Sequence, residues 1–215
     1  MWKLGKKVKC FLGYLKRYIH ICRNGEYEAI KPDDPEAGEF SLEEEFFVSV
    51  CIGKQLWMAS DLDVPIDHEI GRVWTVPGYG RLYDWEAAKM LCPEGWRLPT
   101  DEDWIRLECE LGMPEREARL KIWGCRNSGG VGEQMKENGN SGLNMLLRGY
   151  CTVEGIFREQ GLSGCWWSSA PHGGYAIVRM LRHSAQGVFR TYVPHNGGRS
   201  VRYVKDLPEG FGVKK

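Results

Sequence analysis

Gly80-Arg81-Leu82-Tyr83-Asp84-Trp85-Glu86-Ala87-Ala88 leads, after Lys89-Met90-Leu91, into Cys92-Pro93-Glu94-Gly95-Trp96-Arg97-Leu98-Pro99-Thr100 and then Trp104. This stretch reads as two short helices joined by a hard corner. Asp84 can cap the first helix, because its carboxylate accepts hydrogen bonds from the free amides of a first turn. Trp85, Ala88, Leu91 and Cys92 form the inner stripe of that helix, and Pro93 with Gly95 ends it. Pro99-Thr100 opens the second helix, with Thr100 as cap and Asp103 at the capping-box position. Trp104, Leu107 and Leu111 make its inner face, and Gly112 stops it.

Upstream of this corner, 46–52 is a strand candidate, Gly53-Lys54-Gln55 turns it, and 56–59 continues as a second short strand. Downstream, 124–144 is rich in Gly and Asn and reads as loop. Gly129-Gly130-Val131-Gly132 within it reads as flexible, because no strand–helix context supports a phosphate loop there. Short strand patterns then alternate with turns: Phe157, Trp166-Trp167, 176–183, 188–193 and 200–204.

The chain has 215 residues, 42% of them hydrophobic, with nine Trp and 27 Gly. That composition suits one globular domain with extensions, in which large rings stand in for long regular elements. No apolar run approaches the length that spans a bilayer. The zero formal net charge hides an asymmetry: residues 1–25 carry seven Lys/Arg and no acid, whereas 26–47 carry nine Asp/Glu against Lys31. Leu4, Val8, Phe11, Leu15, Tyr18 and Cys22 recur as one apolar helical stripe, so 1–23 reads as a basic amphipathic helix. Such a helix could dock on another subunit as a homo-oligomer contact or lie on an anionic membrane surface. Residues 24–45 read as an acidic linker, 46–207 as the folded domain and 208–215 as a tail. Lys16 and Arg17 interrupt the apolar run a signal peptide needs. A cytoplasmic or phage-particle setting is therefore favoured over signal-directed secretion.

The eight Cys form no Cys-x-x-Cys pair, and no His lies at metal-ligand spacing from another. Neither zinc nor any other metal or cofactor is expected, and the thiols read as reduced. Asp61, Asp63, Asp67 and Glu69 cluster without calcium-loop spacing and read as a solvated loop.

These blocks resemble the Fibrobacter succinogenes major paralogous domain, a branch of the C-type lectin-like fold. Ile52-Gly53-Lys54-Gln55-Leu56-Trp57-Met58-Ala59 resembles that family's opening strand pair, and 80–104 its most specific part. Gly142-Leu143, Arg148-Gly149-Tyr150 and Gly155-Ile156-Phe157 resemble its middle hairpins. Cys165-Trp166-Trp167-Ser168-Ser169 and Val201-Arg202-Tyr203-Val204-Lys205-Asp206 resemble its close. The resemblance implies an α+β fold of two short helices, small antiparallel sheets and long loops. It also implies a Cys in the closing strand, paired with the Cys after the first helix. Here Tyr203 stands at that position, which leaves Cys92 without its usual partner. The Glu-Pro-Asn and Trp-Asn-Asp tripeptides of calcium-dependent sugar binding are missing.

The resemblance further implies recognition rather than catalysis, and it turns Arg179 and Leu181 toward the domain. Alternation then sends Val178, Met180 and Arg182 outward, with Phe189, Thr191 and Val193 beside them and the His195-Asn196 loop adjoining. These eight residues are the expected ligand surface, facing a protein or glycan. Five Arg and two His with no acid between 178 and 202 favour an anionic partner. No nucleic-acid partner is expected. The same geometry resembles the variable proteins of diversity-generating retroelements, whose diversified positions lie on such strands, and so implies an adhesive or receptor-binding display module of bacteria or phages. Two alternatives stand beside it. One is a thiol enzyme of the formylglycine-generating type, using Cys151 and Cys165 with His172 and His183. The other is a structural tether that oligomerises through the N-terminal helix.

Overall fold

The computed structural model describes residues 19–23, 26–30, 49–66, 70–120 and 124–207. Strands β1 (Ile19–Arg23) and β2 (Glu26–Ile30) pair antiparallel, with Ile19 opposite Ile30. Residues 19–22 are therefore strand and not the last turn of a helix, and 26–30 is strand and not linker. The local chemistry accounts for this. Ile and Tyr favour strand, and Asn24-Gly25 between the two segments is the strongest short hairpin signal in sequence. The rest of the helix and linker expectations, and the tail, lie outside the described residues.

Strands β3 (Ser49–Ile52) and β4 (Gln55–Met58) form a hairpin, which β13 (Val204–Asp206) completes as a three-stranded sheet. Strands β5 (Val73–Val76) and β6 (Gly80–Tyr83) make a second hairpin. Helix α1 (Trp85–Met90) follows, and the Asp84 carboxylate accepts from the Ala87 amide at 2.9 Å, as expected of a cap. Helix α2 (Asp101–Glu110) carries the full capping box: Thr100 Oγ1 accepts from the Asp103 amide, and Asp103 Oδ2 accepts from the Thr100 amide. Asp103 also takes two bonds from Arg97 and one from Gln55. One buried carboxylate thus ties the corner, α2 and β4 together.

A short helix α3 (Glu115–Ala118) precedes the stretch expected to be loop, and that stretch contains β7 (Cys125–Arg126), a 3-10 turn (Ser128–Gly130) and helix α4 (Val131–Met135). Gly129 and Gly130 take φ of 72° and 58°, a left-handed corner that L side chains resist. The glycines read as a sign of flexibility instead build this corner. Hairpin β8 (Tyr150–Cys151) and β9 (Phe157–Arg158) leads to the largest sheet. That sheet comprises β10 (Ser163–His172), β11 (Tyr175–Arg182) and β12 (Val188–Pro194), with β7 on its edge.

Alternation along β10 sends Trp166 and Trp167 to opposite faces of this sheet, and both are fully buried. Trp166, Leu181 and Val188 pack with Trp57, Trp104 and Leu107 in one core. Cys165, Trp167, Ala176 and Val178 pack with Leu62, Val64, Trp85, Ala88 and Tyr203 in another. The sheet is therefore covered on both sides. Each buried Trp withdraws on the order of 200 Å² from water, about 5 kcal/mol of transfer free energy before conformational entropy. Short elements are stable here because rings of this size join them. The architecture is α+β, with small antiparallel sheets and short helices.

Tyr203 is fully buried, and its hydroxyl donates to the Ala88 carbonyl of α1 at 2.9 Å. A hydrogen bond thus ties α1 to the closing segment, where the family resemblance implies a disulfide.

Candidate functional site

The sheet is anchored from beneath by charge. Glu108 on α2, fully buried, accepts two bonds from Arg126 of β7, at 2.6 and 2.7 Å, and one from Arg179 of β11, at 2.6 Å. Asp101 at the start of α2 accepts from Arg179 at 2.8 Å and from both Nε and Nη2 of Arg190. Burial alone would raise the pKa of Asp101. The Arg190 bonds and the Arg179 charge outweigh it and hold the carboxyl below its ordinary value. A second buried centre is Asp61, which accepts from Arg202 at 2.6 and 3.0 Å and from the Trp166 indole at 2.8 Å, with Arg148 3.4 Å away. Asp61 is 5% exposed, which corrects its reading as part of a solvated loop. Asp63 does face solvent, paired with Arg81 at 2.8 Å. Asp67 and Glu69 lie outside the described residues.

Above this base the strands meet in register. Met180 pairs with Cys165 on one side and Phe189 on the other, and Phe189 pairs with Cys125. The next row inward is Trp167, Val178 and Thr191, and beyond it Ala176 faces Val193. Ser163 and Arg182 form the outer row. The expected parity therefore holds: Val178, Met180 and Arg182 share a face with Phe189, Thr191 and Val193.

Exposure does not follow parity alone. Val178 is fully buried in the core beneath residues 62–64 and α1, which corrects its assignment to the surface. The covering segment has no periodicity, so the strand pattern gave no sign of it. Met180 and Val193 are half-buried against the same core. Arg182 is exposed, Phe189 is half-buried, and the Arg182 guanidinium lies 5.1 Å from the Phe189 ring centre. Thr191 is half-buried, its hydroxyl without a hydrogen-bond partner. At the far end His195 stacks on Trp85, with ring centres 4.1 Å apart and 15° between planes, and Lys89 lies 3.8 Å from the same indole. Asn196 is exposed beside it.

The excess of arginine also reads differently in space. Of the five between 178 and 202, Arg179, Arg199 and Arg202 are buried, Arg190 is bound to Asp101, and Arg182 alone is exposed. The basic run is largely internal, and Arg182 is its exposed member.

Sequence reasoning missed a cluster on the opposite face. His172, Tyr175 and Tyr192 meet at the tip of the β10–β11 hairpin, with ring centres 4.7 and 5.5 Å apart. The signal was present, since Tyr175 shares the parity of Arg179 and opens the strand that follows Gly173-Gly174. The proposed thiol pair is buried. Burial pushes the Cys165 thiol up to about 11, and it raises Cys151 as well. His172 and His183 are exposed, and among the described residues neither is hydrogen-bonded to a thiol. Among the described residues, no three His, Cys, Asp or Glu are placed to hold a metal ion, and no helix is long and apolar enough to cross a membrane.

The family model described as the Fibrobacter succinogenes major domain matches residues 72–205, more than half of the chain. No curated protein and no solved structure matches it.

Proposed function

Since the chain belongs to the Fibrobacter succinogenes major domain family, we propose that it is a non-catalytic binding module of C-type lectin-like fold. Its ligand is a protein or glycan surface, and it binds at the outer end of the β11–β12 face. One observation carries the reading. The fully buried core under this face ends at the Val178 row, and in the rows outside it half-buried Met180 and Phe189 and exposed Arg182 form an apolar and cationic group. Aromatic, Met and Arg side chains are those favoured at interface centres. A sheet filled on both sides and pinned by ion pairs also holds such a group without reorganisation, which lowers the entropic cost of binding. Display by a diversity-generating retroelement variable protein is a specific form of this reading, with adhesion as its role.

The buried, protonated thiols favour binding over thiol chemistry, because the thiolate is the nucleophile. The test compares the intact protein with an Arg182→Ala/Phe189→Ala variant against arrays of glycans and surface proteins from candidate bacterial hosts. The expected outcome is binding that the variant loses while its Tm holds within about 3 °C. Equal binding by both proteins would remove the strand face from the function.

A further inference from the structure

His172 and Tyr175 pair across the tip of the β10–β11 hairpin, and Tyr175 also pairs with Pro194 of β12. The next row holds Ile177 and Tyr192, and the row after it Arg179 and Arg190. This face of the sheet, opposite to Met180 and Phe189, therefore changes from charged to aromatic as it nears the tip. Tyr175 is 43% exposed and His172 is exposed as well, while Tyr192 is half-buried. The Tyr192 ring centre lies 4.7 Å from that of His172, with 36° between planes, and 5.5 Å from that of Tyr175, with 75° between planes. Two exposed rings are thus braced on a third, which fixes their positions before any ligand arrives.

Charge, area and ring chemistry together select the class of ligand. The cations on this face, Arg126, Arg179 and Arg190, are each bound by Glu108 or Asp101. The two rows at the aromatic end hold no Asp, Glu, Lys or Arg, so this end matches an uncharged ligand. Tyr175 exposes roughly 100 Å² and the three rings together roughly 200–300 Å², against about 800 Å² on each side of a stable protein interface. The cluster is too small to hold a folded protein or a second copy of the chain, and it has the extent of a short run of sugar rings. The negative face of an aromatic ring attracts the polarised C–H bonds that line one side of a pyranose. Among the described residues the Tyr175 hydroxyl and the His172 imidazole make no hydrogen bond, so both can meet sugar hydroxyls at the edge of the stack. Approach past the tip is open, since a Cβ at Gly173 or Gly174 would meet nothing within 4 Å.

We infer that His172, Tyr175 and Tyr192 form a stacking platform for an uncharged carbohydrate, with Tyr175 as its principal contact. The platform lies on the opposite face to Met180, Phe189 and Arg182, so it stands or falls independently of the strand-face reading.

The test titrates the full isotope-labelled chain with a panel of neutral oligosaccharides built from glucose, galactose, mannose, xylose or N-acetylglucosamine. Sorbitol is the control, because it offers hydroxyls without a ring. The readouts are the resonances of His172, Gly173, Gly174 and Tyr175, with those of Arg182 and Phe189 as reference. Saturable movement at the tip is expected with at least one sugar, at about millimolar Kd. Tyr175→Ala should weaken it about tenfold, whereas Tyr175→Phe, which keeps the ring and loses the hydroxyl, should stay within about threefold of the parent. The Arg182→Ala/Phe189→Ala variant should bind the same sugar unchanged. No saturable movement with any sugar, an equal response to sorbitol, equal affinity in Tyr175→Ala, or loss of binding in Arg182→Ala/Phe189→Ala would each overturn the inference. So would a dimer in sedimentation that Tyr175→Ala dissolves, which would make the cluster a contact between copies. Tyr175 is exposed beside the turn, so its variants test the platform without entering the core.

Discussion

Replacing Glu108 by Gln tests whether the ion pairs under the sheet hold it in place. The substitution preserves shape and removes one charge. Glu108 accepts three short bonds from Arg126 and Arg179, both of which are fully buried. In Glu108→Gln one oxygen can still accept, but the other position becomes an NH2 donor facing a guanidinium, and the counter-charge is gone. Arg126 is left with the Ala118 carbonyl and one amide oxygen at most, while Arg179 keeps Asp101. Breaking a buried pair from one side costs about 3–5 kcal/mol, chiefly because a charge is left without a partner. A domain of ordinary stability has about 5–15 kcal/mol in total, so the variant should lie near its unfolding threshold. At about 2–4 °C per kcal/mol for a chain of this size, Tm should fall by roughly 6–20 °C. Urea unfolding followed by tryptophan fluorescence at pH 7 measures the loss. The companion variant Glu108→Leu/Arg126→Leu/Arg179→Met removes all three charges together and should recover most of it. A loss below about 1 kcal/mol for Glu108→Gln, or a triple variant much less stable than the single, would refute the account.

Further predictions follow from the same contacts. Asp101 and Asp103 have lowered pKa values. Burial opposes this at each, and it is outweighed at Asp101 by Arg190 and Arg179 and at Asp103 by Arg97 and Thr100. Their stabilisation is complete above the unfolded carboxylate value of about 3.9 and is lost as pH falls through the depressed folded values. The urea midpoint should therefore be level near neutrality and drop in acid; a midpoint that is flat down to pH 3 counts against the pairing. Tyr203→Phe removes the bond to the Ala88 carbonyl and should cost about 1–3 kcal/mol, read from the same urea curves. At pH 8, iodoacetamide followed by peptide mapping should label exposed Cys125 first. Cys165, at about 11, has roughly one part in a thousand as thiolate, and its labelling at the rate of Cys125 would contradict its burial.

How much of this was legible in the sequence depended on how local the cause was. Asp84, Thr100 and Asp103 act within three residues of where they stand, and the helices start where those residues predict. Strand parity was legible for the same reason: Val178, Met180 and Arg182 do share a face with Phe189. What covers that face comes from residues 62–64 and α1, some 88 to 116 positions earlier, so the burial of Val178 was not visible in its own strand. The arginines between 178 and 202 show the same limit. Their acidic partners, Asp61, Asp101 and Glu108, lie at least 70 residues away in sequence. The hairpin at residues 19–30 was local and still missed, because a helical stripe and an alternating strand pattern both fit Tyr18 to Cys22.

The strand rows also divide the sheet by how freely its residues can be exchanged. Arg182 and Asn196 meet solvent, and Phe189 touches it, so new side chains there change what the surface presents and little else. One row inward, Val178 and Trp167 are locked between a loop, a helix and a closing segment. A library randomised at Arg182, Phe189 and Asn196 should yield mostly folded members with altered surfaces, and one randomised at Val178 mostly unfolded chains. The same four strands thus offer evolution a permissive margin mounted on an intolerant interior, separated by the width of one cross-strand pair.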